Sequence, residues 1–159
     1  MTEEKQFDWS YFRIMGSSEQ VNLISHAQNY LKKNPDCEVH VGCDSQNVRG
    51  ITIYVTTVVF RHEGQGAHVI YKKEKLDRIK DMWSKLWAET ERSVDLANHL
   101  SNDLGIKISQ IDLDYNTDPA FKSHGVYTAA TGYVSSLGYV VKAKPNLLMA
   151  VWAANALCG

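Results

Sequence analysis

The sequence predicts an α/β domain: a mixed five-stranded sheet, an antiparallel meander followed by parallel strands, with helices on both faces and a further helix at the N-terminus. Three observations carry this reading. Residues 38–73 hold three apolar, β-branched runs separated by two short turns, and loops that short join antiparallel neighbours, because a parallel pair needs a long crossover. From residue 77 onward, helical periodicity alternates with short strand patterns, as it does where strands are joined by crossover helices. The chain has 159 residues, 44% of them apolar, which suits one hydrophobic core and leaves little room for two.

Residues 17–33 carry Val21, Ile24, Ala27 and Leu31 at helical spacing behind Ser17 and Ser18 as cap candidates, and Asn34-Pro35 ends the run. In 38–44 Val39, Val41 and Cys43 alternate with His40, Gly42 and Asp44, which is a strand pattern. A turn at 46–50 leads to ITIYVTTVVF, the densest β-branched and aromatic run of the chain. A glycine-bearing turn at 62–66 then leads to a strand at 67–73. Residues 77–104 predict a long amphipathic helix with Ile79, Trp83, Leu86, Thr90, Val94, Ala97 and Leu104 on its buried stripe and Gly105 as its stop. A strand at 107–115, a polar loop, a helix at 124–137, a strand at 139–143 and a helix at 146–158 complete the order. Residues 1–34 are expected to be a helical extension packed on a core of 35–159.

The bulk composition excludes several classes. No apolar window approaches the roughly 18 residues of a membrane span, and the charged start MTEEKQFDW has no secretory h-region. Three cysteines without CxxC spacing argue against a disulfide framework or a zinc knuckle, so a reduced, cytoplasmic setting is expected. With 17 Lys+Arg against 18 Asp+Glu the net charge is −1, which on its face disfavours a polyanionic partner.

The placement of the acids changes that. Asp44 ends the first core strand, and Asp112 and Asp114, two apart, point to one face of the fourth. Acids in apolar strands are costly unless paired, hydrogen-bonded or metal-bound, and a divalent cation with hard oxygen ligands, Mg²⁺ or Mn²⁺, is the simplest way to hold several together. Glu89 lies roughly 80° from the centre of the helix stripe and Glu91 roughly 120°, so Glu89 is the one able to look inward. Asn155 is the lone polar residue within LLMAVWAANALC. Read singly, each has an ordinary alternative: an Asx turn for Asp44, an edge-strand position for Asp112, a satisfied amide for Asn155. Setting aside Asp44, Glu89, Asp112 and Asp114 leaves 17 basic residues against 14 acidic, a net +3.

The segments VHVGCDSQ, ITIYVTTVVFR, WAETERSVDLA and IDLDYN with the later Lys144-Pro145 resemble the YkuK-type ribonuclease H-like family, over about residues 35–159. The resemblance implies a ribonuclease H-like fold and a two-metal, nuclease-type site acting on nucleic acid, whether RNA, DNA or a hybrid. Asp44 would bridge two cations, Glu89 would hold one, and Asp114, followed by Tyr115-Asn116, would complete the set in preference to Asp112. The last-helix position, usually Asp in the family, falls on Asn155, which keeps an oxygen donor but brings no charge.

His124 in the polar loop is the leading candidate proton carrier, with His40 and His68 behind it. Ser45 and Gln46, next to Asp44, and Lys122 and Lys144 are candidate substrate contacts; Pro119 to Gly159 holds Lys122, Lys142 and Lys144 and no acid. Residues 61–85 carry seven Lys/Arg against four acids with Trp83 interleaved, either a solvated helix face or a surface that tracks a phosphate backbone. The competing function is a module that binds nucleic acid or protein and has lost full metal affinity.

Overall fold

The structure is a computed structural model, and it describes residues 7–114, 124–143 and 149–158. In chain order its elements are β1 (Tyr11–Ile14), β2 (Gln20–Asn22), α1 (Leu23–Lys33), β3 (Glu38–Val48), β4 (Ile51–Arg61), β5 (Ala67–Asp77), α2 (Met82–Asn98), β6 (Gln110–Leu113), α3 (His124–Ser136), β7 (Val141–Ala143) and α4 (Met149–Cys158). The strands form one sheet ordered β2-β1-β5-β4-β3-β6-β7. Strands β3, β4 and β5 make the expected antiparallel meander, while β6 pairs parallel to β3 and β7 parallel to β6.

The sheet has seven strands rather than five, because residues 11–22 are not helical. Phe12 pairs with Val21 across a tight turn, and Arg13 and Ile14 extend the sheet by pairing with Tyr71 and Ile70 of β5. The helix therefore starts later than its apolar spacing suggests, at Leu23, with the Asn22 side chain accepting from the Ser25 N–H. The meander strands are also longer than predicted. Strand β5 runs to Asp77, and Ile79 precedes α2, its N–H donating to Thr52 Oγ1 and its carbonyl accepting from Asn47 Nδ2. Asp81 caps α2 through the Ser84 N–H. The helix widens into a π-helical turn over His99–Asp103 and stops where Gly105 takes a left-handed φ of 68°, the Ile106 N–H returning to the Leu100 carbonyl.

Both faces of the sheet are covered. On one, Val39, Val41, Val58, Phe60 and Ile70 pack against buried residues of α1, α2 and α3, including Ala27, Leu96 and Ala130. On the other, Ile53, Val55, Val59 and Val69 meet Ala150, Ala153, Ala154 and Cys158 of α4. A Cβ on Gly42 would lie 2.9 Å from Ala150 Cβ and 3.1 Å from Val151 N. Helix α4 therefore sits closer to β3 than any side chain there would permit. Beside Gly42 in register is Asp112, whose Oδ2 accepts from the Ala150 N–H at 3.0 Å, while Thr57 Oγ1 donates to the Ala150 carbonyl at 2.8 Å.

Helix α1 is seated on the meander by an aromatic and imidazole cluster. The Nε2 atoms of His26 and His68 lie 2.8 Å apart, Tyr30 stacks on His68 with centroids 4.6 Å apart, and the Tyr30 hydroxyl meets His62 Nε2. Two imidazole nitrogens in such contact share at most one proton. Burial lowers the affinity of His26 for a second proton, against a weaker pull from Glu19, and burial with the neighbouring His26 and His62 does the same for His68.

Two outcomes follow. Gly42→Ala is expected to destabilise the protein by about 1–3 kcal/mol in denaturant or thermal unfolding, the usual cost of overpacking a filled site. His26 and His68 are also held below the ordinary imidazole range, so the unfolded chain takes up more protons than the folded one. Their contribution is whole above about pH 6.5 and is lost as pH falls through the folded-state values. A thermal-shift series from pH 8 to 5 should show that loss, and it should be shallower in His68→Gln.

Candidate functional site

Strand β3 carries Asp44 and Ser45 in its second half, both buried; it does not end at Asp44 as the sequence suggests, because pairing with β4 continues to Val48. By the pleat, Asp44 shares the α4 side with Gly42, and Ser45 lies on the α2 side. Helix α2 crosses there and turns Glu89 inward, 3% exposed, whereas Glu91 faces water. Ser45 Oγ donates a short hydrogen bond to Glu89 Oε2. Lys85, one turn earlier on α2, reaches the Ser45 carbonyl with Nζ at 3.5 Å, and the Tyr54 hydroxyl donates to the Lys85 carbonyl at 3.0 Å. Arg92, one turn later, lies 4.0 Å over the Tyr54 ring and pairs with Glu74 at 3.2 Å. These contacts fix the register of α2 on the sheet and hence the position of Glu89.

The electrostatics follow from that packing. Burial, then the like charge of Asp44 and more weakly that of Asp114, push the Glu89 carboxyl well above its ordinary range, while the Ser45 hydroxyl and Lys85 pull the other way. Carboxylates from β3, α2 and the end of β6 thus feel one another across the end of the sheet. Among the described residues no three or more His, Cys, Asp or Glu side chains are grouped so as to hold a metal ion. The acids interact without closing into a finished ligand set. The nearby thiols are not nucleophiles: burial raises Cys43 strongly and pushes Cys158 up to about 12.

The remaining candidates fall in different places. Asp112, 1% exposed, has both oxygens occupied: Oδ1 accepts from Gln110 Nε2 at 2.6 Å, and Oδ2 accepts from the first turn of α4. Its carboxylate thus serves a helix N-terminus, a partner that spacing along β6 does not reveal. Asp114 is half-buried just beyond β6, and Gln46 is exposed. Asn155 is exposed on α4, one residue past buried Ala154. His124 begins α3, half-buried, with a shielded Nδ1 that has no hydrogen-bond partner among the described residues. His40 is buried with Nε2 on Glu38, and His68 belongs to the imidazole cluster, away from the acids. Lys122, Lys144, Tyr115 and Asn116 lie outside the described residues. The sequence counted Lys85 only among the basic residues of 61–85; its i, i+4 spacing to Glu89 is the signal that marks it.

This is the arrangement of a ribonuclease H-like domain: a meander whose first strand carries a buried acid, a helix that buries a glutamate against the next residue of that strand, and a parallel strand that brings a further aspartate alongside. The chain belongs to the ribonuclease H-like family, whose model, described as "Ribonuclease H-like", matches residues 22–158. Its sequence is also similar to the uncharacterized protein YkuK of Bacillus subtilis (strain 168), 25% identical over 150 residues that cover 84% of this chain and 87% of that protein. No solved structure matches the chain. Among the described residues, no helix is long and apolar enough to cross a membrane.

Glu89 supplies a test that needs no substrate. A raised carboxyl means the folded state holds its proton more tightly than the unfolded chain, so stability is present at low pH and lost as pH rises above the ordinary glutamate range. Glu89→Gln keeps an oxygen for Ser45 and removes the charge. It is expected to stabilise the metal-free protein at pH 7–8, by an amount that shrinks toward pH 4.5, in parallel urea unfolding curves.

Proposed function

We propose that this chain is a divalent-metal-dependent nuclease, a phosphodiester hydrolase acting on RNA, DNA or a hybrid of the two. The observation that carries the reading is Glu89: a buried carboxylate, hydrogen-bonded to Ser45, that feels the like charges of Asp44 and Asp114 against the pull of one hydroxyl and one ammonium. Such a group is a liability in the core unless a cation or a proton balances it.

The donor set fits Mg²⁺ or Mn²⁺, since all three side chains offer hard oxygen ligands. Asp44, Glu89 and Asp114 would hold the ion, with Asn155 able to add a neutral oxygen. Bound there, such ions supply Lewis-acid activation of water and charge stabilisation on the leaving oxygen. The chain's own residues do the rest. Ser45 and Lys85 orient Glu89 and keep it ionisable. Asp112, committed to α4, takes no part beyond holding that helix. His124, whose shielded Nδ1 has no hydrogen-bond partner among the described residues, is the proposed proton carrier. Ser45 and Gln46, with Lys122 and Lys144, are the proposed contacts to the phosphate backbone.

A second reading, a domain that binds nucleic acid or a protein without cleaving, draws on Asn155. Where the family carries an acid, a neutral and exposed amide lowers the charge available to a second cation.

Mn²⁺ titration by calorimetry and thermal shift, run beside cleavage assays on labelled RNA, DNA and hybrid, separates the two. The nuclease reading expects saturable stabilisation by Mn²⁺, lost in Asp44→Asn, together with cleavage that vanishes in Asp44→Asn and Asp114→Asn and rises in Asn155→Asp. Metal binding without cleavage on any substrate leaves the binding module, and no binding at millimolar Mn²⁺ removes the metal site altogether.

A further inference from the structure

We infer that Trp83, at the start of α2, is a stacking platform for an unpaired base, so that the strand presented to the site is single-stranded. This rests on the nuclease reading above for where the strand leads, but not for whether it binds. The sequence places Trp83 on the buried stripe of α2, yet it is 47% exposed and its neighbour Met82 is 48% exposed. Tryptophan is usually among the better-buried residues of a fold. Trp87, one turn on, shows the ordinary alternative, half-buried and packed on Tyr133 with centroids 5.7 Å apart.

Trp83 is not loose. Its Cζ3 lies 3.2 Å from where a Cβ on Gly125 would stand, so the ring rests against the first turn of α3 at a position that carries no side chain. A glycine within a helix costs up to about 1 kcal/mol relative to alanine, and here it makes room for the indole. One edge of the ring is thus held by α3 while about half of the residue remains open to water.

The surroundings suit a nucleic acid strand. Six residues separate Trp83 from Glu89, about 9 Å along the helix axis, and His124 adjoins Gly125. Arg78 and Lys80, in the segment that enters α2, are exposed, as are Lys75 and Arg49, and Arg78 Nη1 donates to the Arg49 carbonyl at 2.7 Å. The same stretch holds two exposed acids, Asp77 at the end of β5 and Asp81, which is spent on capping the helix, against the four cations. Guanidinium and ammonium groups beside an exposed indole, close to an acidic site, form the combination that holds phosphates and stacks bases. Within a duplex, paired bases show the grooves their edges alone, so away from a blunt end an indole stacks on a base that is unpaired.

The experiment is fluorescence anisotropy with labelled 12-mer oligo(U), oligo(dT) and a blunt duplex, in EDTA so that binding is read apart from cleavage. Single strands should bind more tightly than duplex. Trp83→Ala and Trp83→Leu should each weaken single-strand binding by about 5- to 100-fold, the range measured for one stacked base. Trp83→Phe should keep most of the affinity, and Trp152→Ala, which alters an indole 64% exposed on α4, should change nothing. Lys80→Gln should weaken all strands alike and flatten the salt dependence by about one phosphate. Single-strand binding unchanged in both Trp83→Ala and Trp83→Leu, or duplex binding as tight as single-strand binding, overturns the inference. The same oligonucleotides incubated with Mn²⁺ separate the two claims. Trp83-dependent binding without cleavage sinks the nuclease reading alone, and metal-dependent cleavage with Trp83-independent binding sinks this one alone.

Discussion

Gly42 and Asp112 occupy paired positions on adjacent parallel strands, and between them they set where α4 lies. The missing side chain at Gly42 lets the helix backbone approach the sheet, and the Asp112 carboxylate receives an N–H group that the first turn of any helix leaves unsatisfied. Neither contact suffices alone. Without the carboxylate, a helix N-terminus would be buried with its donors unmet; without the glycine, the donors could not reach it. Once α4 is fixed there, its alanines close over Val55 and Val59, and Cys158 at its far end comes within 3.8 Å of the Asp44 carbonyl. The helix that covers one face of the sheet thereby also backs the part of β3 on which the first acid stands.

The opposite face is held by a different kind of contact. Tyr54 and Arg92 lock α2 in register, and that register turns Glu89 into the core instead of into water. Apolar packing and one cation–π stack thus keep a carboxylate where its own solvation would not. Structures tolerate such a group when the surrounding core is well determined, and they concentrate it where charge has a use. Lys85 and Ser45 moderate the cost without cancelling it, and the Glu89 carboxyl stays raised.

Much of this is legible in the sequence where local signals agree. The meander is plain because β-branched runs and tight turns coincide, and Glu89 separates from Glu91 by helical geometry alone. What escapes depends on partners distant in the chain. Strand β1 is four residues long and β2 three, too short to show alternation, and they exist because β5 offers an open edge. Residues 74–77 carry charged, helix-favouring side chains, so β5 seems to end early, yet pairing with β4 keeps them extended. Spacing alone gives Asp112 and Asp114 the same strand face; the resemblance prefers Asp114, and the physical reason, that Asp112 is committed to the N-terminus of α4 nearly forty residues on, is not visible along the chain. Trp83 obeys helical periodicity, but the first turn of α3 meets its ring at Gly125, where there is no side chain, and the residue stays 47% exposed.

The two ends of the sheet have a consequence for how this molecule meets its own kind. An unpaired strand edge is a template on which another chain can add, and long apolar edges lead to aggregation. Here the outermost strands, β2 and β7, are three residues each, the first flanked by Gln20 and Asn22 and the second centred on exposed Lys142. Of the three 11-residue strands that would template most strongly, β4 is paired along its length on both sides, while β3 and β5 are each covered in part, by β6 over His40–Gly42 and by β1 at Ile70 and Tyr71. By adding two short strands beside β5, the N-terminal segment covers the apolar part of that edge at Ile70 and Tyr71 and leaves the largely charged residues 72–77 beyond it. The outermost strands of a chain crowded with β-branched residues thus offer another chain little to pair with.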